Sequence, residues 1–396
     1  MKVLHVTPAY FPATYWGGPI FSVLGLNKAL AGIPGVHLRV LTTDSAGPRV
    51  AQRLPSESSG PVSYPPGYDV YFCRRLAGAD ISPGLLRRLV GLARWADVIH
   101  LTATYSFPTI PTLLVARILG RPIVWSPRGA LQASYEWAEA RRQIAKRLWE
   151  GTCNGIVEGQ RCVLHVTSER ERDASLQLIP AARAEIVPNG VEVPENEPRR
   201  SWRPGGRLRL LFLGRLDRKK GLENLLDALP QLRNSNVSLE VCGTGDPIYI
   251  ESLRTRVKSL ALNEMVTFSG HVDGEEKSEA FYRADVSVIP SHSENFAMVV
   301  AEALAHGVPV IASTGTPWSA VTEHKCGYWI PNDPESLARA LSSIGNEDLE
   351  GMGRRGRQWM QMAYRWAGVG AQMHALYKRL LDDKGSRNRK LARDSA

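Results

Sequence analysis

Residues 208–216 read LRLLFLGRL, residues 217–221 DRKKG, residues 222–232 LENLLDALPQL and residues 237–243 VSLEVCG. The first and last runs have the length and continuous hydrophobicity of strands buried on both faces of a sheet. Between them leucines recur at helical spacing, so the segment predicts one βαβ unit with parallel strands. The charged loop after the first strand is then expected at the carboxyl edge of the sheet, where such sheets bind ligands.

The first half of the chain repeats this plan. KVLHVTPAY is an apolar run, WGGP a glycine-bearing loop, residues 21–31 a helical pattern and VHLRVLTTD a second apolar run. Further strand-like runs follow, ADVIHL, RPIVWSP and CVLHVTS in the first half and MVTFSGHV, ADVSVIP and VPVIAST in the second. Strands alternating with helices indicate an α/β protein with two Rossmann-like, doubly wound parallel-sheet domains that face each other across a cleft.

Proline and glycine mark the boundary between the two domains. Residues 191–206 are rich in both, and they predict a linker because neither residue sustains a helix or a central strand. The N-terminal domain is then 1–190 and the C-terminal domain 207–365. Residues 366–396 predict a helix that crosses back to the N-terminal domain and ends in a basic tail.

Composition narrows the class of protein. A length of 396 residues suits two domains, and five cysteines without a CxxC pair argue against a disulfide framework or a zinc site and favour the cytoplasm. The first apolar run is too short for a signal peptide, and no run approaches the roughly 18 residues that span a bilayer. The formal net charge of +10 suits nucleic acid, an anionic membrane surface or a polyphosphate ligand.

SENFAMVVAEAL, residues 293–304, places two carboxylates in an otherwise apolar stretch. Cap-type residues before it, and glycine and proline after it, predict a helix over about 296–306. Its amino terminus follows the strand DVSVIP and is expected to offer free N–H groups to a phosphate. Glu294 and Glu302 then suit hydroxyl groups on either side of that phosphate. Alternatively, Glu294 caps the helix and Glu302 is a surface residue.

The loop LGRLDRKKG carries Arg215 and Lys220 at the rim of the same predicted sheet. A guanidinium fork and a mobile ammonium together suit a diphosphate, although a charged surface loop is the alternative. VCGTGDP places Gly243 and Gly245 after another strand, where a backbone can approach a ligand closely. WGGPIF lacks the GxGxxG spacing, so dinucleotide binding is not supported.

The second half resembles the nucleotide-sugar domain of the retaining glycosyltransferases of family 4, also described as glycosyl transferases group 1, which have the GT-B fold. The matching stretches are GRLDRKKG, CGTGD, GHV, SHSENFAMVVAEALAHGVPVIAS and GYWIP, in the same order over about residues 205–340. The first half agrees more loosely, through PAYFPATYWGGP, ADVIHL, SPRGAL and VLHVTSERERDA.

The resemblance implies a role for each matching residue. Glu302 would hold the ribose hydroxyls of the nucleotide, and Glu294 hydroxyls of the donor sugar. Arg215 and Lys220 would bind the diphosphate and stabilise its charge as the glycosidic bond breaks. The other implied donor-binding residues are Gly17, Gly18, Gly214, Gly243, Gly245, His271, Val272, Asn295, Phe296, Ala297 and Met298.

Two positions depart from the family pattern. Arg128, in SPRGAL, stands where many members have a histidine that contacts the donor sugar. Arginine does not titrate near neutral pH, so Arg128 is a candidate for charge binding in the catalytic site and not for a general base. Ala297 stands where glycine is usual, and either its methyl group narrows the space beside the sugar or its backbone is helical and needs no glycine.

The resemblance implies a retaining, metal-independent, hexosyltransferase-type enzyme without a cofactor, whose donor is a UDP- or GDP-linked sugar. The expected acceptor is lipid-linked or a saccharide, in polysaccharide, lipopolysaccharide or glycolipid synthesis. The alternatives are a GT-B epimerase or phosphorylase and a non-catalytic nucleotide-sugar-binding protein. No nucleic-acid-binding module is recognised in the sequence.

The arginine-rich run SPGLLRRLVGLARW, residues 82–95, predicts a helix with a basic face. Such a helix can bind an anionic membrane, so peripheral contact with the inner face of the membrane is a further expectation. An ordinary amphipathic helix on the surface of the domain is the alternative.

Overall fold

The computed structural model describes residues 1–47, 49–54, 60–78, 80–132, 140–195, 200–232 and 236–394. Residues Met1–Gly190 and Trp366–Ala396 form one compact unit, and residues Val191–Arg365 form a second. Each unit is built on a parallel or mostly parallel sheet, with helices between most successive strands. The predicted fold class, two parallel-sheet α/β domains, is therefore confirmed.

The elements of the first unit follow one another along the chain, and its last helix comes after the second unit. They are β1 (Lys2–Val6), α1 (Gly18–Ala31), β2 (His37–Thr43), β3 (Val62–Tyr64), β4 (Tyr68–Cys73), α2 (Pro83–Trp95), β5 (Val98–Thr102), α3 (Thr109–Ile118), β6 (Ile123–Ser126), α4 (Ala140–Val157), β7 (Cys162–Val166), α5 (Glu169–Leu178) and β8 (Arg183–Ile186). The second unit contains β9 (Leu208–Leu213), α6 (Leu222–Ala228), β10 (Val237–Cys242), α7 (Pro247–Ser259), β11 (Val266–Gly270), α8 (Gly274–Arg283), β12 (Val286–Ile289), α9 (Met298–Ala305), β13 (Val310–Ser313), α10 (Ala320–Glu323), β14 (Gly327–Ile330), α11 (Pro334–Ile344) and α12 (Leu349–Ala363), and α13 (Trp366–Asp394) returns to the first.

The sheet of the first unit has the order β3-β4-β2-β1-β5-β6-β7-β8, and only the β3–β4 pair is antiparallel. One apolar core contains side chains of α2, α3 and α4, such as Leu89, Leu113 and Val157. Another contains side chains of α1 and α13, such as Leu26 and Met373. Coverage on both faces is why the central strands are continuously apolar.

The sheet of the second unit has the order β11-β10-β9-β12-β13-β14, with every neighbouring pair parallel. The βαβ segment with which the second half opens forms β9, α6 and β10, and the leucines of α6 are buried against the sheet. The strand order reverses direction at β9 and β12. Loops at the carboxyl ends of such strands form the ligand-binding edge of a doubly wound sheet.

Several predicted boundaries differ from the structure. The segment predicted as the linker belongs to the second unit, where Val191 and Val193 are buried in an apolar core. Helix α13 continues to Asp394, beyond the point at which a polar tail is expected, because basic residues and alanine are good helix formers.

The structure shows the state of the cysteines and the character of the helices. Cys73, Cys153, Cys162, Cys242 and Cys326 are all buried free thiols. In the part of the chain that the structure describes, every helix is too short or too polar to cross a membrane.

Three histidines lie in the interior of the first unit, and all of their ring nitrogens lie within hydrogen-bond distance of a polar partner. His5 contacts Asn27 at 2.7 Å and Thr102 at 2.8 Å. Ser126 lies 2.6 Å from His100 and 2.7 Å from His165. Burial lowers the pKa of His5 to about 4 and that of His165 to about 3, and it holds the pKa of His100 well below its usual value.

We expect the free energy of unfolding to fall as pH drops below about 6.5, the pKa of an unfolded histidine. Below that pH the unfolded chain binds protons that the folded chain excludes, so each buried histidine lowers stability by about 1.4 kcal/mol per pH unit until its folded pKa is reached. Urea unfolding between about pH 7 and pH 5 measures the slope. His37→Gln, at an exposed position, should retain the slope. A flat profile would contradict a neutral, buried histidine cluster.

Candidate active site

The loops that follow β9 and β10 lie against each other at the carboxyl edge of the second sheet. The Gly214 amide donates to the Cys242 carbonyl at 3.0 Å, and the Leu216 amide donates to the Thr244 carbonyl at 2.8 Å. These bonds continue the β9–β10 ladder beyond the strands. The loop that carries Arg215 and Lys220 is thereby held next to the loop that carries Gly243 and Gly245.

Glycine is required where these loops meet. A Cβ atom on Gly243 would lie 1.8 Å from the Gly214 carbonyl oxygen, and one on Gly245 would lie 1.9 Å from the Leu216 carbonyl oxygen. Both distances are far inside van der Waals contact. The close approach that the sequence predicts for these glycines therefore occurs, in this structure, between two protein loops.

Glu294 and Lys220 are brought together at this edge. The Lys220 ammonium donates to Glu294 Oε1 at 2.5 Å, and both side chains are largely buried. The two residues are 74 positions apart in the sequence, one after β9 and the other after β12. The structure thus joins the predicted sugar-binding acid to the predicted phosphate-binding lysine in one ion pair.

Neighbouring loops fix the position of Glu294. The Ser291 hydroxyl donates to Glu294 Oε1 at 2.8 Å, and the Glu294 amide donates to the Gly315 carbonyl at 2.9 Å. A Cβ atom on Gly315 would lie 2.3 Å from the Ser291 carbonyl oxygen, so only glycine fits there. Glu294 is therefore held by its side chain and its backbone, and it does not cap a helix.

Helix α9 begins at Met298, two residues later than predicted. Its N-cap is Ala297, at a φ of 60° in the left-handed region, and no side chain caps the first turn. A helical backbone at Ala297 is therefore wrong as an explanation for the missing glycine. The preceding turn is held by the Trp318 indole, which donates to the Phe296 carbonyl. The Val300 amide donates to the Ala297 carbonyl at 2.9 Å, and the amides of Met298 and Val299 before it are the ones that an uncapped helix start presents to a ligand.

Glu302 lies in the second turn of α9 and forms a separate ion pair. Lys277, on α8, donates to Glu302 Oε1 at 2.7 Å. The Lys277 side chain is 28% exposed and the Glu302 side chain 22%, so neither is fully buried. Sequence reasoning missed Lys277 because nothing in the α8 sequence distinguishes this lysine from an ordinary surface residue.

The remaining predicted residues of the second unit occupy the same edge or its continuation. Arg215 directly follows Gly214 and is exposed. His271 and Val272 follow β11, and the Gly243 amide donates to the Gly270 carbonyl just before them at 2.6 Å. Asn295 lies between Glu294 and Phe296 in the turn that leads to α9.

Three predicted residues belong to the first unit. Gly17, at a φ of 67°, is the N-cap of α1, and Gly18 is the first residue of that helix. Arg128 follows β6 at the carboxyl edge of the first sheet, also with a left-handed φ, of 55°. Few non-glycine residues adopt such a backbone conformation, and those that do cluster at functional sites.

The Arg128 side chain is partly buried and only partly hydrogen-bonded. Its Nη1 atom donates to Asn189 Oδ1, whereas Nε and Nη2 are buried without a hydrogen-bond partner. Burial lowers the pKa of the guanidinium to about 10, partly offset by the charge of Glu171, so Arg128 is a cation at neutral pH. The same carboxylate accepts from the Gly129 amide at 2.6 Å and so ties the Arg128 loop to α5.

Metal ligands of the usual kind do not cluster near these groups. Within the described ranges, no group of three or more His, Cys, Asp and Glu side chains is placed to hold a metal ion. Arg215 and Lys220 supply side-chain cations at the edge of the second sheet.

Comparison with known proteins assigns a family to most of the second unit. Residues 194–359 match the family model described as glycosyl transferases group 1. The second unit is a glycosyl transferases group 1 domain. The Glu294–Lys220 and Glu302–Lys277 pairs both lie inside that domain.

Two relatives and one solved structure extend the comparison beyond the group 1 domain. An uncharacterised glycosyltransferase of Methanocaldococcus jannaschii is 30% identical over 55% of this chain and 60% of its own length. A GDP-mannose-dependent alpha-(1-6)-phosphatidylinositol monomannoside mannosyltransferase of Mycobacterium tuberculosis is 28% identical over 65% of this chain and 70% of its own length. Sucrose-phosphate synthase from Thermosynechococcus elongatus superposes with a TM-score of 0.74 at 22% identity, over 97% of this chain and all of that one. This superposition shows that the fold is the GT-B fold.

Proposed function

We propose that the protein is a glycosyltransferase that moves a sugar from a nucleoside-diphosphate sugar to an acceptor hydroxyl. The observation that carries the proposal is the Glu294–Lys220 pair, held at the carboxyl edge of a group 1 domain. A carboxylate accepts hydrogen bonds from sugar hydroxyls, and an ammonium beside it neutralises a phosphate. The two groups together suit the junction between a sugar and its diphosphate.

The barrier in such a transfer is the separation of an anionic diphosphate from an oxocarbenium-like carbon. In the proposed reaction the bond from the sugar C1 to the phosphate oxygen breaks, and a bond from C1 to the acceptor oxygen forms. The acceptor proton passes to the leaving diphosphate. Arg215, Lys220 and the uncapped start of α9 supply positive charge where negative charge develops, which is an efficient form of catalysis.

We further propose that configuration at C1 is retained and that no metal takes part. Retention follows if the leaving diphosphate takes the acceptor proton, because acceptor and leaving group then lie on the same face. Two side-chain cations take the place of a metal bridging the phosphates. Nuclear magnetic resonance of the product anomer tests retention, and full activity after chelation with EDTA supports metal independence.

In this proposal Arg128 binds an anionic group of a substrate. The free Nε and Nη2 atoms form the edge of the guanidinium that meets a carboxylate or phosphate with two parallel hydrogen bonds. The chain itself uses this edge elsewhere: Arg209 donates through Nε at 3.0 Å and Nη2 at 2.7 Å to the two oxygens of Asp285. Arg128→Lys keeps the charge but not the second hydrogen bond, and it should weaken substrate binding.

The proposed donor is a UDP- or GDP-linked sugar, and the proposed acceptor is lipid-linked or a saccharide. By its name, one of the relatives uses GDP-mannose and acts on a phosphatidylinositol monomannoside. Such an acceptor would place the enzyme at the inner face of a membrane, as a peripheral, cytoplasmic protein.

A panel of UDP-, GDP- and dTDP-sugars tests the proposal through thermal unfolding. We expect one nucleotide to raise the Tm, because a ligand that binds only the folded state stabilises it by about 2.7 kcal/mol at 100 times its Kd. Failure of the whole panel, in a sample with a cooperative transition, would refute nucleotide-sugar binding.

Product analysis then separates transfer from the alternatives. A transferase with a bound donor releases the nucleoside diphosphate only when an acceptor is present or when water takes the place of the acceptor. An epimerase would return an isomerised nucleotide sugar, and a non-catalytic binding protein would return the donor unchanged. Either of these results would overturn the transferase assignment.

A further inference from the structure

Three helices of the first unit, α2, α3 and α4, expose large aliphatic side chains, and α3 contacts both of the others. Each helix carries a pair four residues apart, which places both members on one side of the helix. The most exposed are Ile118 at 79%, Leu148 at 68% and Ile144 at 63%. The full set of these side chains, here called the aliphatic face, is Leu86, Val90, Leu114, Ile118, Ile144 and Leu148.

The residues of the aliphatic face are distinct from those that form the core. The core-facing residues of the same helices, such as Leu89, Leu113 and Val157, are buried with the sheet. Single exposed aliphatic residues are ordinary, but paired ones on three adjacent helices indicate a surface that meets an apolar partner.

The charge of the three helices identifies the partner. Their sequences contain three arginines in α2, one in α3, and three arginines and a lysine in α4, against one acidic residue, Glu150. Glu150 is buried, accepts a hydrogen bond from Tyr105 and pairs with Lys146 at 3.9 Å, so it offsets the charge of that lysine and leaves the arginines. Arg87, Arg94, Arg117 and Arg147 are exposed. A surface with exposed aliphatic side chains, exposed arginines and no exposed carboxylate on its helices is complementary to an anionic lipid bilayer.

We propose that the aliphatic face and its arginines form a docking surface for an anionic membrane. The aliphatic side chains insert among the lipid chains near the head groups, and the arginines contact the lipid phosphates. This surface is larger than the single helix, residues 82–95, for which the sequence predicts membrane contact. It belongs to the first unit alone, and it does not rest on the proposed sugar transfer.

Flotation of the whole protein with vesicles tests the proposal. Vesicles of phosphatidylglycerol and phosphatidylcholine should carry the protein upward, and vesicles of phosphatidylcholine alone should carry much less. The double variant Ile144→Asp, Leu148→Asp should lower binding at least about tenfold, because two apolar side chains lose their place in the lipid. Arg87→Gln and Arg94→Gln should each lower vesicle binding about fivefold. Added salt should then weaken the binding of these variants less than it weakens the binding of the wild type.

A matched control lies in the second unit. Ile248 is 82% exposed, and Ile248→Asp should leave vesicle binding unchanged. All variants change exposed side chains, and an unaltered Tm confirms that each one folds. A rise of the Tm with UDP or GDP, measured on the same samples, shows independently of the vesicle result whether the protein binds the nucleotide.

Three results would overturn the proposal. The first is equal flotation with neutral and anionic vesicles, and the second is an equal loss of binding in the Ile248→Asp control. The third is self-association of the wild-type protein in analytical ultracentrifugation that the Ile144→Asp, Leu148→Asp variant abolishes. That result would assign the aliphatic face to a second copy of the chain.

Discussion

Lys220→Ala is expected to lower kcat by about 10² to 10³, the effect of removing one preorganised charge donor from a developing anion. In the structure Lys220 lies 2.5 Å from Glu294, so the variant also leaves that largely buried carboxylate without its cation. Both effects act at the bond that breaks in the proposed reaction. Steady-state kinetics with the donor found in the nucleotide-sugar panel measures the change.

The loop that carries Lys220 offers a matched control. Arg218 is two residues away, and its side chain is 81% exposed, so Arg218→Ala removes a positive charge from the same loop without touching Glu294. It should leave kcat within about twofold, as expected for an exposed charge. Equal losses in the two variants would mean that general electrostatics, and not the position of Lys220, is responsible. Full activity of Lys220→Ala would remove this residue from the mechanism.

Glu302→Ala is expected to raise the Kd for the nucleoside diphosphate about 10- to 100-fold, because hydrogen bonds to a charged group contribute roughly 1.5 to 3 kcal/mol. The carboxylate pairs with Lys277 at 2.7 Å, and the Glu302 side chain is 22% exposed. Calorimetry with UDP or GDP measures the change. Glu276→Ala removes a neighbouring exposed carboxylate of α8 and should leave the Kd unaltered.

A comparison of UDP with 2′-deoxy-UDP assigns the contact, or GDP with 2′-deoxy-GDP if guanosine is preferred. If Glu302 binds the ribose, the wild-type protein should discriminate against the deoxy ligand and Glu302→Ala should not. Non-additivity of this kind reports a direct interaction between the two altered groups. Additive losses would place Glu302 away from the ribose.

The architecture follows from local sequence patterns to a large extent. Continuous apolar runs such as 208–213 become central strands because only a sheet covered on both faces can bury them. The sequence does not predict the short or mixed strands β3, β4 and β8, which contain polar or exposed residues, and the antiparallel β3 lies at a sheet edge. Such strands depend on their neighbours in the sheet and not on a distinctive pattern of their own.

The candidate site likewise has features that the sequence predicts and contacts that only the fold creates. Residue types and spacing predict that Glu294, Glu302, Arg215 and Lys220 lie at one sheet edge, because they follow strands that run in the same direction. Their partners depend on contacts between distant parts of the chain. Lys277 reaches Glu302 from α8, and Ser291 and Gly315 position Glu294 through loops that follow different strands.

The sequence by itself determines the two α/β sheets, the acid and basic residues at the edge of the second sheet, and the excess of positive charge on α2, α3 and α4. These features are local, since a strand, a helix or a motif is specified by residues close together in the chain. Only the tertiary structure decides that Lys220 pairs with Glu294, that Ala297 adopts a left-handed backbone, and that the aliphatic side chains of three helices lie on a solvent-facing side. Those outcomes depend on which segments the sheet brings side by side, and hydrogen bonding and packing between segments far apart in sequence set that arrangement.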